Sequence, residues 1–365
     1  MADQPPRRVL ALDWLRGTVM VLMAVDHASG TFNAGRLVTD AAFLYQPGMP
    51  LPAAQFFTRW MTHVCAPAFV FLAGAALALS VAKQSARGDP PGAIDRFILT
   101  RGLFIVALDP LWMSWIFAPG QVLLQVLYAI GGSLAAMVPL RRLRERTLLV
   151  MALVLIFGGE ALTGAALALT GGAPTLPTAL LLTGGQFSRL IVAYPLLPWL
   201  AIMLLGWCFG RFLLAAGPTR AARLLVVVGV AALALFVALR GLNGYGNMRL
   251  ARDDGSLVQW LHVSKYPPSL AYVALELGLV ALGLSVVLRR AWGGPLVVLG
   301  QAALFFYLLH AHLLTLAARA LGLAHRGGLA ATYISAAVVV ALLYPLCDRY
   351  RGYKRAHPDG WARYV

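Results

Sequence analysis

Five residues near the start of the sequence place charged, imidazole and thioether groups along one apolar stretch. Asp13, Arg16, Met20, Met23 and His27 are spaced by three or four residues, which puts them on one face of a helix. Arg16 and His27 are about three helical turns apart, or roughly 16 Å along the axis. One helix would therefore present a cation near one end and an imidazole near the other.

A cation and a base at opposite ends suit a ligand whose anionic end stays on one side while its reactive end reaches across. An acyl-CoA is such a ligand, and the imidazole of His27 could act as its general base. Asp26 could tune that imidazole, although contact between neighbours on a straight helix would require fraying of the helix end. Alternatively, Arg16 extends toward lipid headgroups and Asp13 merely pairs with it.

A second imidazole, His63, begins the next apolar helix. If the first two apolar helices pack antiparallel, His63 lies at the depth of His27 and is a rival for the base. Gln125, Tyr266 and His310 are polar groups at helix entries or near mid-membrane, where such side chains are functional candidates by default. We expect these three to line the path of the ligand.

The elements that position these side chains are predicted to be transmembrane helices. Hydrophobic residues make up 60% of the chain and charged residues 12%, against roughly 45–50% and about 25% in soluble domains. Apolar runs of about 20 residues are long enough to cross a bilayer. The sequence thus predicts an all-α polytopic membrane protein of about ten transmembrane helices, forming a single domain over 1–365. The predicted crossings are 9–27, 60–82, 98–118, 121–139, 147–170, 189–213, 222–240, 267–288, 296–319 and 328–347.

The net charge of +16 could indicate a nucleic-acid partner, but the basic residues form short clusters between apolar runs rather than a continuous stripe. Most of them lie in connections on the side of Arg7 and Arg8, which predicts cytoplasmic N- and C-termini in a bacterial inner membrane. We expect no nucleic-acid partner. The three cysteines lack the paired spacing of a metal site, so no metal is expected. The long connections 28–59 and 241–266, on the far side, are candidate lids or binding loops.

Several ordered blocks resemble a known family. They are RVLALDWLRG (8–17), DH (26–27), THVCAPAFVFLAG (62–74), LQVLYAIG (124–131), YPLLPW (194–199), KYPPSL (265–270) and FYLLH (306–310). Together they resemble, nearly end to end, the bacterial branch of the family typified by the catalytic domain of heparan-alpha-glucosaminide N-acetyltransferase. The spacing of Arg16 and His27 is also similar to the first-helix signature of membrane O-acyltransferases that modify bacterial polysaccharides.

The resemblance implies transfer of an acyl group, most simply acetyl, from cytoplasmic acetyl-CoA to a sugar or glycolipid acceptor on the periplasmic side. The active-site histidine of the lysosomal enzyme falls in a block that this sequence does not reproduce, so His27 and His63 both stay candidates. The implied roles are catalysis by His27 with Asp26 or His63, CoA binding by Arg16 and Asp13, and substrate contact by Gln125, Tyr266 and His310.

Two other classes of function compete with this reading. A proton-coupled transporter or flippase could use the buried acidic and imidazole groups as a relay, and inverted repeats would favour it. A metal or haem protein could use His27, His63 and His310, and histidine pairs at i, i+4 would favour it. Neither signal occurs in the sequence. The oligomeric state, a homodimer included, stays open.

Overall fold

Helices form nearly all of the regular structure. The computed structural model describes residues 9–290, 293–357, 360, 362 and 364. Arg7 and Arg8, which mark the predicted cytoplasmic side, fall outside these residues. The helices are α1 (Leu10–Phe32), α2 (Ala53–Trp60), α3 (Cys65–Ala86), α4 (Pro91–Leu108), α5 (Ser114–Phe117), α6 (Val126–Leu140), α7 (Glu145–Leu169), α8 (Leu176–Thr178), α9 (Leu196–Leu242), α10 (Leu257–Leu261), α11 (Leu270–Val287), α12 (Pro295–Gln301), α13 (Ala303–Ala320) and α14 (Leu329–Ala356), with π-helical turns at Asp109–Met113 and Ala179–Thr183.

Seven helices in the described part of the chain are long and apolar enough to cross a membrane. The 47-residue α9 is interrupted at Gly217, which has a non-helical φ of 77° and is followed by Pro218. The element therefore consists of two helices. The polar face of α1 lowers its mean hydropathy, and α6 is a shorter apolar helix. Counting both halves of α9 with α1 and α6 would give the predicted ten crossings. That count and the orientation of the termini stay predictions.

A small sheet departs from the purely helical class that the sequence predicts. Its strands are β1 (Val122–Leu124), β2 (Gly185–Gln186) and β3 (Leu190–Val192), in the order β1-β3-β2. β1 pairs parallel to β3, and β2 pairs antiparallel to it. The predicted crossings starting at 121 and 189 therefore begin as strands. Short apolar runs carry no period that separates strand from helix, and this ambiguity explains the error.

Helix α1 lies inside the bundle against α3, α11, α12, α13 and α14. It meets α12 at two glycines: a Cβ added to Gly17 would lie 1.8 Å from the carbonyl oxygen of Leu296, and one added to Gly300 would lie 1.8 Å from that of Asp13. Such close approach of backbones is the usual role of small residues between membrane helices. The contact fixes the depth and rotation of the polar stripe on α1.

Replacing Gly300 with alanine is expected to destabilise the protein by about 1–3 kcal/mol, because the new methyl group would force α1 and α12 apart. The midpoint of thermal unfolding in detergent should fall accordingly. Gly164→Ala in α7 is the matched control, since no atom lies within 4 Å of a Cβ at that position. Equal midpoints for the two variants would show that α1 and α12 can move apart to accommodate the methyl group without loss of stability.

Candidate active site

A cavity of about 490 Å³ lies beside α1, and basic side chains line one part of it. Three of these side chains lie near helix ends: Arg16 in the second turn of α1, Lys83 in the last turn of α3 and Lys354 in the last turn of α14. Apolar side chains and Tyr307 line much of the remainder. The basic residues are Arg16, Lys83, Arg101 and Lys354.

Arg16 and Asp13 form an ion pair within α1. Nη1 of Arg16 lies 3.1 Å from Oδ1 of Asp13 and also donates to the carbonyl oxygen of Gly300 at 3.3 Å. Gln301 Nε2 donates to Asp13 Oδ2 at 3.2 Å, and Arg355 Nη2 donates to Gln301 Oε1 at 3.1 Å. The pairing that the alternative interpretation expects therefore exists. Both members nevertheless line the cavity rather than facing lipid.

Arg101 lines the same cavity without a hydrogen bond or ion pair to the described part of the chain. Its Nε is buried and has no partner. Even a partly buried guanidinium is costly without a counter-charge, so such groups are normally paired or bind an anion. The basic end of the cavity therefore carries the positive charge that an anion-binding site needs.

The imidazoles of His27 and His310 meet deeper in the bundle. Nδ1 of His27 lies 2.7 Å from Nε2 of His310, and the rings stack with centroids 4.8 Å apart. Nδ1 of His310 lies 2.9 Å from the carbonyl oxygen of Phe306, which can only accept. In the neutral pair His310 therefore donates from Nδ1 and accepts at Nε2, so His27 donates from Nδ1. This assignment from the hydrogen-bond network leaves the Nε2 lone pair of His27 available as a base.

Two aromatic rings pack close to the imidazole of His27. The ring of Phe117 lies 5.0 Å from it and the ring of Tyr307 lies 6.1 Å from it, centroid to centroid. Tyr307 lines the cavity, whereas His27 does not. Tyr307 thus connects the wall of the basic cavity with the histidine pair.

Asp26 points away from His27 into a cluster of cations. Its Oδ1 accepts from Arg59 Nη1 at 2.6 Å, from Arg36 Nη2 at 2.9 Å and from the hydroxyl of Thr62 at 3.1 Å. Helix α1 continues to Phe32, so its end does not fray at this point. The predicted contact between Asp26 and the imidazole of His27 is absent from the structure.

His63 belongs to the same cluster rather than to the histidine pair. Its Nε2 lies 3.3 Å from Oδ1 of Asp40, whose Oδ2 accepts from Nε of Arg59 at 2.8 Å and also contacts Nη2 of Arg59. Burial alone would raise the pKa of Asp40, but the adjacent Arg59 guanidinium holds it well below its ordinary value. Asp40 is therefore ionised. Because His63 contacts Asp40 and His27 contacts His310, the two histidines occupy different sites.

The two long connections, 28–59 and 241–266, are joined above this cluster. The hydroxyl of Tyr45 donates to Asp253, which also accepts from the backbone N–H of Gly48 at 2.8 Å. His262 Nε2 contacts the carbonyl oxygen of Thr39 at 2.8 Å. The backbone N–H of Lys265 donates to the carbonyl oxygen of Asp40, also at 2.8 Å. The connections are thus ordered against each other, as expected of binding loops rather than linkers.

The remaining predicted residues lie apart from the histidine pair. Tyr266 is packed against Tyr194, with ring centroids 5.6 Å apart, beside the Arg59 cluster. Gln125 directly precedes α6, where its backbone N–H donates to Asp109 Oδ2 at 2.8 Å and its side-chain Nε2 is buried without a partner. Neither residue lines the cavity. Of the predicted substrate residues, His310 alone contacts His27.

The family comparison decides what kind of protein this is. The sequence model described as heparan-alpha-glucosaminide N-acetyltransferase, catalytic, matches residues 8–240, well over half of the chain. The chain belongs to this family. It is therefore a member of a transmembrane acetyltransferase family. No curated protein matches the chain.

The matched region of this acetyltransferase-family chain contains part of the site. Arg16, His27, His63 and Arg101 lie within it, whereas His310 lies beyond residue 240. The resemblance of the blocks after residue 240 is thus not covered by the family match. The contact between His27 and His310 joins the matched region to the rest of the chain.

Sequence reasoning missed several groups that the structure places in this member of the family. Arg101 falls inside the predicted crossing 98–118, and a charge in that position was the available signal. Arg36, Arg59 and Asp40 lie in or next to a long connection and carried no periodic signal. Their association depends on tertiary contacts.

Proposed function

We propose that this protein transfers an acetyl group from cytoplasmic acetyl-CoA to an amine or hydroxyl of a sugar or glycolipid on the opposite side of a bacterial inner membrane. The observation that supports this most strongly is the position of Arg101. Its unpartnered guanidinium shares a cavity with Arg16, and that cavity extends to Tyr307, next to His27. The phosphates of CoA are the anions that the basic end would bind.

The chemistry assigned to His27 is general base catalysis. The acceptor N–H or O–H gives its proton to Nε2 of His27 as the acceptor atom attacks the thioester carbonyl. The carbon–sulfur bond then breaks, and the imidazolium returns the proton to the CoA thiolate. Transfer through an acyl-histidine would use the same nitrogen, and both routes fit the geometry. His310 positions His27 by accepting the hydrogen from Nδ1.

The Asp26–Arg59–Asp40 cluster is assigned a positioning role in this scheme. It joins the far end of α1 to α2 and to the connection 28–59, through ion pairs that are buried or nearly so. His63, held against Asp40, supports this framework and remains the rival for the base. The acceptor would enter from the side of these connections.

The direct test uses purified protein, acetyl-CoA labelled in the acetyl group, and a panel of amino sugars and glycans. We expect the wild type to bind CoA and to transfer label, and Arg16→Ala to weaken CoA binding because a cation at the basic end is lost. If the wild type neither binds CoA nor moves label to any acceptor, the proposed function is wrong.

A further inference from the structure

A second cavity, of about 650 Å³, opens beside the short connection between α6 and α7. Its lining shares no residue with the cavity that contains Arg16 and Arg101. Apolar side chains, including Leu143, contribute to its walls, but guanidinium groups dominate. The arginines are Arg141, Arg144, Arg146 and Arg211, and we name this cavity the arginine groove.

Acidic residues balance part of the positive charge in the arginine groove. Nε of Arg211 donates to Glu145 at 2.8 Å, and Nη2 of Arg141 donates to Asp95 at 2.7 Å. The guanidinium groups of Arg144 and Arg146 form no ion pair or hydrogen bond with the described residues. Two guanidinium groups in one concave site are thus available for an anion, which they could bind through paired N–H donors.

Trp207 provides a further donor in the groove. Its side chain is only 4% exposed, yet its indole N–H donates to no acceptor in the described part of the chain. An indole N–H can only donate, and a phosphate oxygen bound in the groove could accept from it.

An apolar surface continues from the groove along α7. Leu149 and Val150 follow Arg146 by about one helical turn and are 41% and 58% exposed. In the apolar window of α7, just 17% of the residues are buried inside the protein, so this helix faces the bilayer. A free anion would make no use of this surface, whereas the acyl chains of a lipid would.

We propose that the arginine groove binds the phosphodiester headgroup of an anionic phospholipid, with its acyl chains along the exposed face of α7. Basic pockets between membrane helices are a recurring form of lipid recognition. The residues of the arginine groove take no part in the proposed transfer reaction.

The test measures lipid binding by the full chain in detergent, by native mass spectrometry and by titration with cardiolipin, phosphatidylglycerol and phosphatidylcholine. We expect the wild type to retain the two anionic lipids in preference to phosphatidylcholine. The double variant Arg144→Gln/Arg146→Gln should bind cardiolipin roughly 25-fold more weakly, given the contribution of each basic residue near a membrane surface. Arg289→Gln/Arg290→Gln removes the same charge outside the groove and should change cardiolipin affinity by less than about threefold.

Two further measurements keep the proposal open to refutation. Trp207→Phe retains the ring and removes the donor, so it should weaken cardiolipin binding several-fold with an unchanged thermal midpoint. Millimolar inorganic phosphate or pyrophosphate should fail to displace the lipid. Displacement of the lipid by phosphate would identify a site for a free anion and would overturn the proposal. Equal losses of cardiolipin affinity in the two double variants would show that only the overall surface charge matters, which would also overturn it.

Discussion

Replacing His27 with alanine is expected to lower the rate of acetyl transfer by about 10²–10⁴-fold, the usual contribution of a general base. The affinity for CoA should stay nearly unchanged, because the basic end of the cavity lies about three helical turns away along α1. The measurement is transfer of labelled acetyl groups at saturating donor, together with CoA binding by the same variant. Loss of turnover with retained binding separates the base from the donor site.

The matched control for His27 is His312→Ala on α13. His312 is also a buried imidazole, but it packs on Trp112 and Trp115 and has no contact with His27. Its removal should change the transfer rate by less than about threefold, as expected for sites away from the reacting groups. If His63→Ala abolishes transfer while His27→Ala leaves it intact, the base is His63 and the roles assigned above are reversed.

The stripe on α1 shows what a helical period can predict. Asp13, Met20 and Met23 are all buried, as expected for a face turned toward the bundle interior, and Arg16 lines the internal cavity. Local spacing along one helix determines which residues share a face, so this part of the site follows from the sequence. The small residues Gly17 and Gly300 then fix that face against α12.

The partners of the histidines could not be predicted in the same way. The contact of His27 with His310 joins residues 283 positions apart, and the contact of His63 with Asp40 depends on how a long connection folds back. A one-dimensional pattern gives no information on the rotation of α13 about its axis. Asp26 next to His27 suggested a local pair, yet neighbours on a helix point in different directions, and Arg59 takes the carboxylate instead.

Arg101 illustrates a different limit of sequence reasoning. Basic residues near the ends of apolar runs mark membrane topology so often that the sequence does not distinguish an arginine with a second role from the others. The role proposed for Arg101 rests on missing contacts: in the described part of the chain its buried Nε has no hydrogen-bond partner and no acidic residue forms an ion pair with it. The unpaired guanidinium leads to the second prediction with a large expected effect.

Replacing Arg101 with methionine is expected to raise the dissociation constant for acetyl-CoA by about 10- to 150-fold, the equivalent of one hydrogen bond between charged groups. Methionine keeps much of the volume and removes the cation. Because Arg101 has no partner in the described part of the chain, the variant breaks no ion pair, and the thermal midpoint of the ligand-free protein should not fall. Turnover at saturating donor should persist, since the lost contact acts on the bound donor before and during transfer alike.

Arg96→Met provides the control for Arg101 on the same helix. Arg96 is exposed and does not line the cavity, so its loss should leave the dissociation constant within about threefold of the wild type. Arg101→Lys should recover part of the affinity, because an ammonium restores the charge but not the planar fork of donors. Equal changes of the dissociation constant in the Arg96 and Arg101 variants would mean that acetyl-CoA affinity depends only on the overall surface charge. A fall in turnover with unchanged donor affinity would instead place Arg101 at the reacting centre and require a different binding pose for the donor.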